Sequence, residues 1–137
     1  MAKDKKKSNI QKKQLTLRGK SLEELQQLDV RESAKYLKSR PRRSVLRNFD
    51  MIERFIKRCE KKNSKNKKIR THLRDLVIVP KLVGFNIAVH NGKNFIDVPI
   101  TLDMVGHRLG EFSQTRSKVS HGSAGIGSTK SSRAQKK

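Results

Sequence analysis

The chain carries a formal net charge of +22, and none of it falls on residues 71–112. Bases and acids cancel there. Residues 1–20 carry +7, 31–53 carry +4, 54–70 carry +8 and 113–137 carry +6, and only residues 21–30, at −3, run the other way. The neutral segment also collects most of the β-branched residues. The charge map therefore predicts a small uncharged folding unit with cationic flanks. Only 33% of the 137 residues are hydrophobic, against roughly 45–50% in ordinary globular domains. A chain of this composition is not expected to pack along its whole length. The 1–14 arm, the tail and much of the N-terminal region are expected to gain order from a partner.

A polycation repels itself unless it meets a polyanion, and nucleic acid fits this charge density. Attraction to phosphates carries little sequence information, so an architectural compactor of nucleic acid would explain the charge equally well. A membrane surface fits less, because the basic runs lack an amphipathic face rich in Trp or Phe. No apolar stretch approaches the roughly 18 residues of a bilayer span. The opening MAKDKKK has no apolar run behind it, so no secretory signal is expected and the cytoplasm is the default compartment.

Chemistry-bearing residues are sparse. The single Cys, Cys59, excludes an internal disulfide and a cysteine-based zinc knuckle. The four His residues are not spaced as pairs on one helix face, and the acids in the neutral segment are scattered. No metal, no cofactor and no enzymatic activity is expected. The tail stretch Gly122–Lys130 suggests a phosphate loop, but Ser128 stands where the motif needs Lys, and no strand precedes it.

Ser21, with Glu24 three residues on, marks the start of a helix, and Asp29 opens a second through about Leu37. Arg40-Pro41-Arg42-Arg43 reads as its break. Ile52, Phe55, Ile56 and Cys59 form one helical stripe, and residues 60–70 read as a basic linker. Leu76–Pro80 has the pattern of a short buried strand. Phe85–His90 alternates and runs into Asn91-Gly92, a strong hairpin signal. A two-residue loop there pairs His90 with Lys93, Ile87 with Ile96 and Phe85 with Val98. Phe85, Ile87, Val89, Ile96 and Val98 then share an apolar face. A short helix from Thr101 or Asp103 is expected to end at Gly110 in the left-handed conformation. The expected divisions are a basic arm over 1–14, a helical basic extension over 15–69, an α/β core over 70–112 and an extended basic tail over 113–137.

Arg70 and His72, at the entry to the sheet, are candidate nucleic-acid contacts. So are Lys93 at the hairpin tip and His107-Arg108 on the short helix. Base stacking looks minor, because the Phe residues fall on apolar patterns.

The stretch Ile87-Ala88-Val89-His90-Asn91-Gly92-Lys93, then Ile100, then Val105-Gly106-His107-Arg108-Leu109-Gly110-Glu111-Phe112 through Thr115-Arg116 and His121-Gly122, resembles the signature of the small-subunit ribosomal protein family nineteen. The N-terminal region and the tail resemble its archaeal and eukaryotic branch. The resemblance implies an α+β fold: a small three-stranded mixed sheet with a short helix, a helical N-terminal extension before it and an extended basic tail after it. It implies binding to ribosomal RNA in the head of the small subunit, contact with the neighbouring protein S-thirteen, and a tail directed towards tRNA. The matching RNA-contact positions are Arg74, Asn91, Lys93, His107, Arg108 and Arg116, with Lys118, His121, Lys130 and Arg133 on the tail.

Overall fold

The computed structural model describes residues 16–118. The 1–14 arm and the distal tail lie outside them. The N-terminal part is helical: α1 (Leu22–Gln27), α2 (Val30–Ser33) continued by a 3-10 turn over Ala34–Tyr36, α3 (Ser39–Arg47) and α4 (Phe49–Asn63). The Ser21 hydroxyl accepts the Glu24 amide at 3.4 Å and so caps α1. Asp29 takes the N-cap place of α2 without a side-chain hydrogen bond. The Arg-Pro-Arg-Arg run does not simply break a helix, as expected, but lies in the first turns of α3. A proline there costs little, because first-turn amides have no intrahelical partner. In α4 the predicted stripe Ile52, Phe55, Ile56 and Cys59 is buried. The helix runs to Asn63, so the expected linker over 60–70 is partly helix and partly strand.

Three strands form one mixed sheet in the order β1 (Ile69–Thr71), β2 (Asn86–His90), β3 (Phe95–Pro99). β1 and β2 are parallel, with Ile69 opposite Ile87 and Thr71 opposite Val89. A parallel pair needs a crossover of a dozen or more residues, and residues 72–85 supply it. Leu76–Val79 belongs to this crossover and is not the expected strand. It is buried, yet its backbone bonds run to the segment 106–109: Ile78 N–H donates to His107 O (2.8 Å), Gly106 N–H to Ile78 O (2.9 Å) and Leu109 N–H to Leu76 O (3.1 Å).

The hairpin is present in a register shifted by two from the expected one. His90 faces Phe95, Val89 faces Ile96 and Ile87 faces Val98. The central pair of the turn is Gly92-Lys93, because Asn91 and Asn94 still pair, with the Asn91 amide donating to Asn94 O at 2.9 Å. Asn91 Oδ1 accepts the Lys93 and Asn94 amides at 2.9 and 2.7 Å. Asparagine thus closes the turn from its first corner position, and Gly92 alone takes the left-handed conformation, at φ +104°. A slip of two residues keeps every side chain on its face, so the predicted apolar face survives.

The expected short helix is two 3-10 turns, Leu102–Met104 and Leu109–Phe112. Gly106 takes the left-handed conformation, at φ +90°, whereas Gly110 is not at a left-handed cap. Helices and sheet share one core. Val30, Ala34, Leu37, Val45 and the α4 stripe pack with Ile69, Ile78, Leu82, Ile87, Val89 and Leu109. Gln26 ties α1 to the crossover by donating to Val83 O at 3.2 Å. Burial on this scale stabilises by roughly 1.5–3 kcal/mol for each large apolar side chain, so helices α2 to α4 pack into the same core as the sheet.

Candidate nucleic-acid interface

Arg74 sits just after the entry to the sheet, half-buried. Its guanidinium donates to His90 O (2.5 Å), Gly110 O (2.8 Å) and Ser113 O (2.6 Å). These three carbonyls belong to the end of β2, the last 3-10 turn and the start of the C-terminal segment. The Arg74 carbonyl in turn accepts the Gly110 amide at 2.7 Å. Only the rigid fork of Arg offers so many donors in one plane. Arg74 therefore fixes, from inside, the segments that carry Lys93, Arg108 and Arg116. Those three cations, with Lys118, are exposed. His121, Lys130, Arg133 and the glycine stretch 122–130 lie outside the described residues.

His107 and Arg108 stand at the start of the last 3-10 turn, both exposed. The Glu111 carboxylate organises them: Oε1 accepts the Arg108 amide at 3.0 Å and Oε2 meets His107 Nδ1 at 2.6 Å. The backbone amide of Arg108, then the His107 ring, hold the Glu111 carboxyl below its ordinary value of 4.5. A carboxyl whose folded-state value is depressed adds stability above its unfolded value and loses it as pH falls through the folded value. Glu111→Gln is therefore expected to lower the unfolding temperature slightly at neutral pH, and by progressively less as pH falls through the folded value. Thermal unfolding of the two proteins across that range checks it; an equal loss at both ends would assign the effect to packing. Beside this turn, Arg40, Pro41, Ser44, Val77, Gly106 and Arg108 line a cleft of about 300 Å³.

The sheet's solvent face presents a group that the sequence reading passed over. Arg70 and His72 stand there with His90 and Phe95. The His72 and His90 ring centroids are 4.5 Å apart, and Phe95 meets them edge-on at 5.1 and 4.9 Å. Phe95 does not fall on the apolar side of the hairpin, and strand parity carried that signal: it shares the face of its partner His90. Asn91 is occupied in shaping the turn. A second missed feature is the outer side of α3 and α4, where Arg47, Arg54 and Arg58 surround Met51 and Leu73 in a cleft of about 450 Å³.

No group of three or more His, Cys, Asp or Glu among the described residues is placed to hold a metal ion. Cys59 is buried, and burial pushes its thiol up to about 11, as suits a core residue and not a nucleophile. No described helix is long and apolar enough to cross a membrane.

These features define a small, basic α+β protein with cations and rings on an open surface, a class to which ribosomal proteins belong. The family model for Ribosomal protein S19 matches residues 43–121. A protein of Methanococcoides burtonii described as small ribosomal subunit protein uS19 is 39% identical over 122 residues, 89% of this chain and 88% of the relative. The chain belongs to the ribosomal protein S19 family, and as such it is a structural protein of the small ribosomal subunit, not a member of an enzyme family.

Proposed function

We propose that the chain binds ribosomal RNA in the head of the small subunit, mainly through phosphates, beside the neighbouring protein S-thirteen and with its basic tail directed towards tRNA, in cytoplasmic ribosomes. The observation that carries this reading is the convergence at Arg74. Two segments distant in sequence, the end of β2 and the last 3-10 turn with its exit, meet at one guanidinium, and an exposed cation lies within three residues of each bonded carbonyl: Lys93, Arg108 and Arg116. Phosphate contacts need such fixed spacing to set register on folded RNA. A-form RNA hides its base edges in a deep groove, so backbone and shape dominate recognition. Arg70 and His72 on the sheet add to this surface, with His107 beside Arg108. Lys118, His121, Lys130 and Arg133 would extend it along the tail. Asn91 and Arg74 serve it by holding the hairpin tip and the two segments in place.

Filter binding of the full chain to a head-domain RNA transcript over a salt series tests the reading. Lys93→Ala with Arg108→Ala is expected to weaken binding and to flatten the slope of log K against log salt by about two, near one per lost phosphate contact. An unchanged slope would remove both residues from the interface. Equal affinity for duplex DNA and for the transcript at moderate salt would favour an architectural compactor instead.

A further inference from the structure

We propose that the solvent face of the sheet carries a stacking site for one unpaired RNA base, with Phe95 as its platform, His72 and His90 as its walls and Arg70 as its cation. The inference rests on the RNA-binding reading and adds a mode of contact that phosphate pairing does not supply.

Four observations converge. Phe95 is 37% exposed, on the one face of the sheet that the core does not cover. The register places it directly opposite His90, and His72 arrives from the far end of β1, so residues from three parts of the chain build one aromatic surface. An aromatic pair across two strands stabilises a hairpin by itself, but that leaves the third ring and the cation unexplained. Arg70 stands over the Phe95 ring, 5.5 Å from its centroid. That separation is looser than a packed stack, and the ion pairs among the described residues do not include Arg70. A guanidinium so placed can cover a base or pair with its phosphate.

Charge selects the occupant. Lys67, Lys68 and Arg70 on one border of the patch and Lys93 at the hairpin tip are all exposed, and they suit a phosphodiester chain passing along that edge. Asp97, the one acid on this face, lies opposite Ala88 on the strand farthest from β1. It shares a pocket with Lys67 and Lys68, where Lys67, Lys68 and Arg70 outnumber it and leave that border net positive. Flat rings with a cation beside them match the π-face of a base, and every base has one.

The test uses the full chain and two labelled single-stranded heptaribonucleotides, one intact and one with abasic sugars throughout, equal in phosphate count. The intact strand is expected to bind more tightly by about five- to a hundredfold, the range for a base stacked on an aromatic side chain. Phe95→Tyr should keep that ratio. Phe95→Ala and Phe95→Leu should bring it close to one. Lys93→Ala should weaken both strands alike and leave the ratio unchanged. Equal binding of the two strands by the unaltered chain, with normal salt dependence, overturns the stacking site and leaves phosphate binding standing. A leucine variant as good as tyrosine also overturns it and assigns the patch to apolar docking of a protein. Absence of salt-dependent binding to either strand and to the head-domain transcript would remove the RNA reading and this inference together.

Discussion

Arg74→Ala is expected to destabilise the fold by about 3 kcal/mol and to lower RNA affinity without changing its salt slope. The guanidinium satisfies three carbonyls at 2.5, 2.8 and 2.6 Å. A hydrogen bond to a charged group contributes about 1.5–3 kcal/mol. Arg74 is half-buried, and water entering the space would replace part of what is lost, so the expected loss falls below the lower end of the three-bond sum, about 4.5 kcal/mol. The change should appear as a shift in urea midpoint at constant m, or as a fall of about 10–20 °C in unfolding temperature for a domain of this size. Lysine should recover only part, since one ammonium cannot span three carbonyls that the planar fork reaches together. The binding measurement separates two roles. A residue that positions Lys93, Arg108 and Arg116 from inside affects affinity through their spacing, and the number of phosphates neutralised stays nearly constant. A residue that touches phosphate itself takes about one unit from the slope. A variant as stable as the parent, with the slope reduced by one, would return Arg74 to the surface that the family resemblance implied for it.

That double reading of Arg74 shows where sequence runs out. Its partners lie 16, 36 and 39 residues away, and no local pattern encodes a guanidinium turned inward. Signals that act over short range were legible. The α4 stripe repeats at helical spacing, and Ser21 with Glu24 marks a helix start by a bond three residues long. The hairpin was legible in its faces and not in its register, because side-chain parity survives a slip of two while the turn does not. Asn-Gly fits a turn either with both residues at its centre or with Asn at the first corner, and here the Asn91 side chain, taking two amides, decides for the corner. Leu76–Val79 was misread for a different reason. Burial alone makes a segment apolar, and an apolar run looks the same whether its amides meet a strand or, as here, the segment 106–109. The true β1 is three residues at the end of a lysine-rich run, too short to show alternation. On the candidate interface, single cations were readable from their flanks. The ring cluster was not, because it needs the register that brings His90 against Phe95 and the parallel pairing that brings β1 alongside.

Gly110→Ala is the second large expectation, and its sign carries the argument. Gly110 lies in a 3-10 turn, and its backbone is not left-handed. At such a position alanine ordinarily stabilises by about 0.4–1 kcal/mol, because the unfolded chain has less freedom to lose. Here a Cβ would stand 2.9 Å from the Arg74 carbonyl oxygen and 3.0 Å from the Arg74 Cβ. Both are fixed atoms at the end of the sheet entry and cannot swing aside as a flexible side chain would. The turn would have to retreat. That would strain the 2.7 Å bond from the Gly110 amide to Arg74 O and the 2.8 Å bond from Arg74 to Gly110 O. Overpacking of this kind costs about 1–3 kcal/mol, and the lost bonds add to it, so a net loss of about 2–3 kcal/mol is expected in urea unfolding. The clash with the Arg74 backbone remains in an Arg74→Ala background, but the guanidinium bond is already gone there. The two substitutions together should therefore cost about 1 kcal/mol less than their separate losses combined, as neighbours that share a partner do. Strict additivity would mean that glycine and arginine act independently, and a stabilised Gly110→Ala would mean that the close approach at this corner relaxes without resistance. Either result would uncouple the turn that carries Arg108 from the residue that holds it in place.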